Sequence, residues 1–399
     1  MLFVGTWAVL HVGFYKHKQI LDTPVYQRYG NAIADGKVPY RDFAVEYPPG
    51  ALPVFALPGL AEPGHDQDVT AGFRRTFETF MWICGAIALC AMEFVLRMLR
   101  RPRRSAWAAL AFAALAPLAL GSVILSRFDL WPAAIVVLAL AALAAARLRI
   151  GHALLGVGVA AKLYPAVLLP LGVAFAWKRA GRRQAVTCLG VAAATMAVIF
   201  LPFVVLSPGG VWHSLTVQLS RPLQVESLGS ALLLAAHHAV GVGVTGETSH
   251  GSQNLAGGAA DALAVASVVV QAAVLIWIWT VFARGPGTGE ALVRASAAAL
   301  CAFVAFGKVL SPQFLIWLIP VVPLVRGRRG LWSSALLAAA LVLTQIWFPF
   351  RYFRLAVDFE PGLSWLLLAR DLVLVALVVV LVLGRDRDAD RLAARRAAV

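Results

Sequence analysis

Apolar runs of 18 or more residues recur from one end of this chain to the other. Each is long enough to cross about 30 Å of hydrocarbon as a helix. In lipid, every backbone N–H and C=O has to find its partner within the segment, so the runs read as helices. They are blocks of Ala, Leu and Val, without the period-2 alternation of a membrane β-barrel. Composition agrees: 60% of the 399 residues are hydrophobic and 14% charged, against roughly 25% charged in a soluble domain. The expected fold class is therefore all-α, a polytopic transmembrane helix bundle of about 12 membrane segments, some short or re-entrant.

The segments read as residues 2–15, 76–96, 106–125, 130–146, 152–161, 166–177, 185–206, 259–283, 295–306, 313–325, 331–350 and 363–383. The pair 152–161 and 166–177 reads as a hairpin of half-helices turning at Lys162-Leu163-Tyr164-Pro165. Non-helical backbone at that depth is tolerated only where protein or a water-filled cavity surrounds it. Residues 2–15 would rise only about 21 Å as a helix, so the expectation is either a helix seated in a thinned region of the bilayer or, the favoured reading, further residues upstream of this start.

Positive charge sets the orientation. With the N-terminus cytoplasmic, the inside segments are 97–105, 147–151, 178–184, 284–294, 326–330 and the tail after 384. They hold 21 of the 35 Lys and Arg. Both termini then lie in the cytoplasm of a multi-pass plasma-membrane protein. The net charge of +15 is thereby a topology signal, and a nucleic-acid partner is not expected. Trp107, Trp131, Trp177, Trp332 and Trp365 stand at span ends, as interface anchors do. The four cysteines sit inside apolar runs without metal-ligand spacing and read as packing residues. No signal peptide and no internal repeat is evident. Residues 1–384 read as one membrane domain with outer loops 16–75 and 207–258. Residues 385–399, where Arg alternates with Asp, read as a charged cytoplasmic tail.

Two large loops on one face place binding or chemistry there. Asp22 follows the first span and is either a general base at the membrane surface or the N-cap of a helix after Pro24. Residues 24–34 fit an amphipathic helix along the interface, with Tyr26 on it. Segment 40–49 brings Tyr40, Asp42, Glu46 and Tyr47, which suit stacking on sugar faces and bonding hydroxyls. Its other reading is a loop packed on the bundle and stiffened by Pro48-Pro49. Arg127 either pairs with Asp129 or offers its planar fork to a phosphate. Lys162, at the hairpin turn with Tyr164, is a costly charge at membrane depth and needs a cavity or a partner. Lys308 and Gln313 lie at the outer end of a later span, and Arg351 and Arg354 follow on the same side. Each of these cations, taken singly, also reads as a snorkelling interface residue. Glu93 and Arg97 read as a helix-face pair, and Arg370-Asp371 as a structural pair within the last span. His237-His238 has no carboxylate at ligand spacing. No Walker A loop, GxGxxG after a strand or His-Glu-x-x-His occurs, so nucleotide-driven transport and zinc proteolysis have no support.

An acid just after the first span, followed by a long outer loop, resembles the GT-C glycosyltransferases, membrane enzymes that take a sugar from a polyprenyl-phosphate carrier. More closely, the chain resembles the actinobacterial polyprenyl-phosphate-mannose-dependent alpha-mannosyltransferases, which build phosphatidylinositol mannosides and related glycolipids. The matching pieces are Asp22 to Tyr26, Gly36 to Pro49, Arg127 to Pro132, Lys162 to Pro165 and Lys308 to Gln313. The resemblance implies a GT-C-like fold with Asp22 as catalytic base. It also implies that basic residues near the outer face, Arg127, Lys162 and Lys308 here, hold the donor phosphate. Tyr26, Tyr40, Asp42, Glu46, Tyr47, Asp129, Tyr164 and Gln313 are then the candidates for sugar and acceptor contacts. It implies no metal and no cofactor. The expected partners are a polyprenyl-phosphate sugar donor, a glycolipid or glycan acceptor, and membrane lipids. Mannose is the family default, and another polyprenyl-linked sugar such as arabinose stays open. Two departures stand out: the short first span, and the Gly- and His-containing loop 207–258, for which the resemblance offers no counterpart, so the acceptor site does not carry over. The rival readings are a transporter or flippase of an anionic lipid-linked substrate and a non-catalytic membrane scaffold.

Overall fold

The computed structural model describes residues 1–16, 20–61 and 69–383; the charged tail 385–399 lies outside them. Helix α1 (Leu2–Val9) leads to α2 (Thr23–Ala34), which matches the helix expected at 24–34, and then to α3 (Leu52–Ala61). Next come α4 (Ala71–Met98), α5 (Arg103–Leu115), α6 (Ser122–Ser126), α7 (Leu130–Ala144) and α8 (Leu148–Ala161). Helix α9 (Leu169–Leu206) is followed by α10 (Pro208–Leu219), strand β1 (Leu223–Gln224), α11 (Leu228–Val240), and strands β2 (Thr245–Ser249) and β3 (Ser252–Ala256). The last elements are α12 (Gly258–Arg284), α13 (Gly289–Ala305), α14 (Leu315–Leu318), α15 (Gly327–Trp347), α16 (Tyr352–Ala356) and α17 (Pro361–Leu383).

Among the described residues, 5 helical stretches are long and apolar enough to cross a membrane: α4, Tyr164–Leu206, α12, α15 and α17. Shorter apolar stretches accompany them, Pro49–Ala61, α7, α8, α11 and Pro312–Leu324. Segment 313–325 is α14 between two 3-10 turns. Segment 106–125 breaks at Pro117, which opens a 3-10 turn, and again at Gly121, whose φ of 56° no helix accommodates. The all-α expectation also needs correcting. Strands β1, β3 and β2 make a three-stranded antiparallel sheet inside the second large loop, 207–258. Its β2–β3 turn is the pair His250-Gly251, both with positive φ, the backbone that a two-residue hairpin requires.

The stretch from Tyr164 to Leu206 is two arms, as the separate segments 166–177 and 185–206 anticipated. Gly181, at φ 79°, breaks the helix. A Cβ added at Gly172 would lie 3.0 Å from His152 on α8, and one added at Gly156, a single turn further along α8, would lie 2.6 Å from the Ala192 carbonyl oxygen. In a straight helix residues 172 and 192 would stand about 30 Å apart. The chain therefore reverses at Gly181, and α8 packs against both arms. The second arm and α12 turn Val198, Val205, Val265 and Val269 outward, a surface suited to lipid rather than water.

Polar contacts tie the first large loop to this bundle. The Gln27 side chain accepts the Thr70 N–H at 2.9 Å, joining α2 to the cap of α4. Trp131 donates its indole N–H to the Gly50 carbonyl at 3.0 Å, so it holds the first loop down and is not a free interface anchor. Trp107, Trp177, Trp332 and Trp365 are exposed as expected. Glu93 and Arg97 pair at 2.5 Å. Arg370 and Asp371 are fully buried and pair at 2.9 Å within α17, and Arg370 also donates to the Glu226 main-chain carbonyl at 2.8 Å.

Candidate active site

A cavity of about 380 Å³ opens where the two large loops, 16–75 and 207–258, meet the bundle, within the usual range for a small-molecule site. One wall is built by the first loop and the ends of α7 and α8. It carries Asp22, Tyr26, Glu46, Tyr47, Arg127, Asp129 and Lys162. The facing wall comes from Gln218 to Glu226, His250 to Ser252, Ser311 to Phe314, and Phe348 and Tyr352.

Local structure explains the first wall. Asp22 is the N-cap of α2, yet its side chain makes no capping bond. Its carboxylate forms an ion pair with Arg127 and accepts the Tyr26 hydroxyl at 3.3 Å. A capping position has thus placed the residue and left the side chain free for the cavity. Arg127 lies in the extended link between α6 and α7, 6% exposed. It also donates to the Ile20 carbonyl at 3.0 Å, and its Nε has no hydrogen-bond partner. Burial lowers the Arg127 guanidinium to about 10, against the pull of Asp129 and Glu226. It stays protonated near neutral pH.

Lys162 sits where α8 ends, its backbone extended at φ −160° and ψ 142°. Its ammonium lies 2.6 Å from Asp129 and within 4.7 to 5.7 Å of the Phe128, Trp317 and Phe314 ring centres. Trp317 donates its indole N–H to the same Asp129 oxygen at 2.6 Å. Tyr164 stacks on Trp317 with ring centres 3.9 Å apart. A charge that is costly in the bilayer is held here by one carboxylate and an aromatic cage. The first loop is pressed onto this turn: a Cβ at Gly50 would lie 2.6 Å from the Ala160 carbonyl carbon.

The cavity therefore gathers Asp22, Tyr26, Glu46, Tyr47, Arg127, Asp129, Lys162 and Gln313. Four other candidates lie elsewhere. Tyr40 is buried at a left-handed turn (φ 67°). Its hydroxyl donates to the Tyr47 carbonyl at 2.6 Å and its own carbonyl accepts from Ser207 at 2.9 Å, so it joins the two loops. Asp42 is outside the cavity and paired with Arg41 at 2.8 Å, which holds its carboxyl down to about 2. Tyr164 serves the Lys162 cage. Lys308 donates to the Leu219 carbonyl at 3.0 Å, and its own carbonyl accepts the Gln224 N–H at 3.0 Å; it braces the second loop. Tyr26 and Tyr47 line the cavity but pack mainly on Phe55, Phe77 and Phe128, the core that fixes the wall.

Apart from Gln313, the facing wall was not anticipated. Glu226 is 1% exposed, and burial pushes its carboxyl up to about 8, against the pull of Arg370 and Arg127. It accepts from the Gln224 amide. Gln218 donates to the Glu46 carbonyl at 3.0 Å, closing one loop on the other. The sequence carried a signal for this: a carboxylate in the alternating stretch Leu223-Gln224-Val225-Glu226, just before the Ser227 cap of the apolar helix α11. No group of three His, Cys, Asp or Glu placed to hold a metal occurs among the described residues. His237 bonds the Val242 carbonyl and His238 the Ser364 hydroxyl.

Comparison with known proteins places this geometry. The sequence pattern of Glycosyltransferase family 87 matches residues 45–312. That span holds Arg127, Asp129, Lys162 and Glu226, and Asp22 precedes it. No curated protein matches the chain by sequence. Among solved structures, the chain is similar to ArnT from Cupriavidus metallidurans bound to undecaprenyl phosphate. The identity is 16% and the TM-score 0.50, over 95% of this chain and 76% of that one. It is also similar to the Archaeoglobus fulgidus oligosaccharyltransferase in the apo form, at 14% identity and TM-score 0.43, over 94% of this chain and 54% of that one. The ArnT likeness is one of fold.

Proposed function

The chain belongs to glycosyltransferase family 87, of the GT-C type, and on that premise we propose that it transfers mannose from a polyprenyl-phosphate carrier to a lipid or glycan acceptor at the outer face of the plasma membrane, with inversion. Membership decides for an enzyme over a transporter or a scaffold. The observation that carries the finer reading is the placement of Asp22 against Arg127, with Lys162 lining the same cavity. A carboxylate and two cations converge where a lipid-borne phosphate and a hydroxyl have to meet. The carrier is supported by the ArnT structure, which holds undecaprenyl phosphate.

The step is a single displacement. The acceptor oxygen attacks the anomeric carbon, and Asp22 takes the acceptor proton. The bond from that carbon to the phosphate oxygen breaks, and the electron pair leaves with the carrier phosphate. Arg127 and Lys162 stabilise the charge that builds there. A β-linked donor gives an α-linked product. Tyr26 orients Asp22 through its hydroxyl. The donor already stands on the outer face, so no nucleotide sugar enters the step. With both termini cytoplasmic, loops 16–75 and 207–258 cover the site from outside.

The test is transfer itself. Purified protein in lipid is supplied with radiolabelled polyprenyl-phosphate-mannose and a mixed glycolipid extract. Label moving into a new lipid supports the reading. Folded protein that moves no label contradicts the assignment of mannose and sends the test to other carrier-linked sugars.

A further inference from the structure

The wall made by the second outer loop takes no part in the displacement, yet it is built with care. Gln224 and Glu226 are 3% and 1% exposed, and Ser311 is 8% exposed; all three line the cavity. The Gln224 amide nitrogen donates to the Glu226 carboxyl and, at 2.9 Å, to the Ser311 hydroxyl. Its Oε1 is buried and has no partner. The main chain is held from both sides: Lys308 accepts the Gln224 N–H, and Arg370, from within α17, donates to the Glu226 carbonyl. These side chains are fixed in place, and one of them presents an unmatched acceptor.

We propose that Glu226, Gln224 and Ser311 form a hydroxyl-binding subsite that takes a sugar ring on the side of the cavity facing Asp22. A buried acceptor without a partner is costly and is matched by a donor. Sugar hydroxyls supply donors, whereas a phosphate supplies only acceptors and would meet the Gln224 and Glu226 oxygens unfavourably. Burial favours the neutral Glu226 carboxyl, which both donates and accepts, as vicinal hydroxyls require. Phosphate is thus placed toward Arg127 and Lys162 and hydroxyls toward Glu226, Gln224 and Ser311; Arg221 of the second loop also lines the cavity and donates to the His250 carbonyl at 2.9 Å. The subsite rests on the glycosyl-transfer reading above. The ring belongs either to the donor or to the acceptor.

The experiment compares wild type, Glu226→Ala, Gln224→Ala and Glu226→Gln in lipid. It measures binding of sugar-free polyprenyl phosphate, binding of polyprenyl-phosphate-mannose, and the apparent KM for the glycolipid extract. Both alanine variants are expected to bind sugar-free carrier within about twofold of wild type, which also shows that they fold. They are expected to lose about tenfold in one other quantity. Weaker binding of the mannosyl carrier assigns the donor ring; a raised KM for the extract assigns the acceptor ring. Glu226→Gln, which keeps a donor and an acceptor, stays within about threefold of wild type. The subsite is overturned if neither quantity moves, if sugar-free carrier binding falls alongside them, or if Glu226→Gln is as damaging as Glu226→Ala. Wild type that binds no carrier would overturn the carrier reading, and the subsite with it.

Discussion

The ammonium of Lys162 lies 2.6 Å from Asp129, and that bond holds a charge at the end of α8 where the sequence alone offered only apolar neighbours. Asp129 is 1% exposed and is shared with Trp317. Removing one partner of such a pair strands the other. Lys162→Met is expected to cost about 3–5 kcal/mol of stability, read as a lowered Tm in lipid or detergent. The double variant Lys162→Met with Asp129→Leu is expected to recover a large part of that loss. Equal Tm values for Lys162→Met and wild type would show that the pair carries no stability.

Asp22 and a carrier phosphate compete for one guanidinium. Asp22→Asn removes the anion that Arg127 now pairs with. The variant is therefore expected to bind sugar-free polyprenyl phosphate about 3- to 10-fold more tightly than wild type. Titration of carrier into purified protein checks this. Unchanged or weaker binding would place the phosphate away from Arg127.

Gly50 is where the first loop presses onto α8. Gly50→Ala drives a Cβ to 2.6 Å from the Ala160 carbonyl carbon, against backbone that has no side chain to move aside. A cost of about 1–3 kcal/mol is expected. Transfer should fall as well, because Glu46 and Tyr47 are carried by the same loop. A variant with wild-type Tm and transfer would mean that the approach relaxes without strain.

Glu226 sets a pH window. Its carboxyl is pushed from an ordinary 4.5 up to about 8, so folding favours the neutral form. Below about pH 4.5 it is neutral in both folded and unfolded chains and contributes no difference. Between there and about pH 8 the unfolded chain ionises while the folded one does not, and stability is lost as pH rises. Glu226→Gln removes this dependence. Its Tm relative to wild type is expected to rise between about pH 5 and pH 8; a constant difference would show that Glu226 is not held neutral.

Much of this was legible in the sequence, for identifiable reasons. Membrane helices announce themselves by length and apolarity, and α2 by Pro24 and its aromatic face. The break at Lys162 was readable because Lys-Leu-Tyr-Pro interrupts two apolar runs. Sequence pattern does not say which way a loop side chain points. Segment 40–49 offered Tyr40, Asp42, Glu46 and Tyr47 on equal terms, and only the left-handed turn at Tyr40 and the Arg41–Asp42 pair separate them. Lys308 looked like Arg127 in the sequence, but it lies outside the cavity and is bonded to the Leu219 carbonyl, whereas Arg127 lines the cavity against Asp22. Glu226 was missed because the bond that anchors its main chain comes from Arg370, 144 residues away in sequence, and no local pattern reports such a contact. The small sheet was missed because β2 is polar throughout, though His250-Gly251 marked its turn.

The base is the central claim, and one comparison tests it most directly. Wild type and Asp22→Asn are assayed side by side for transfer of labelled mannose from polyprenyl phosphate to lipid acceptor, with sugar-free carrier binding measured on the same samples. Asp22→Asn is expected to bind sugar-free carrier about 3- to 10-fold more tightly than wild type and to lose at least about 100-fold in transfer rate. Equal transfer by the two proteins would keep the enzyme and contradict Asp22 as its base, leaving Glu46, which lines the same cavity, as the next carboxylate to change.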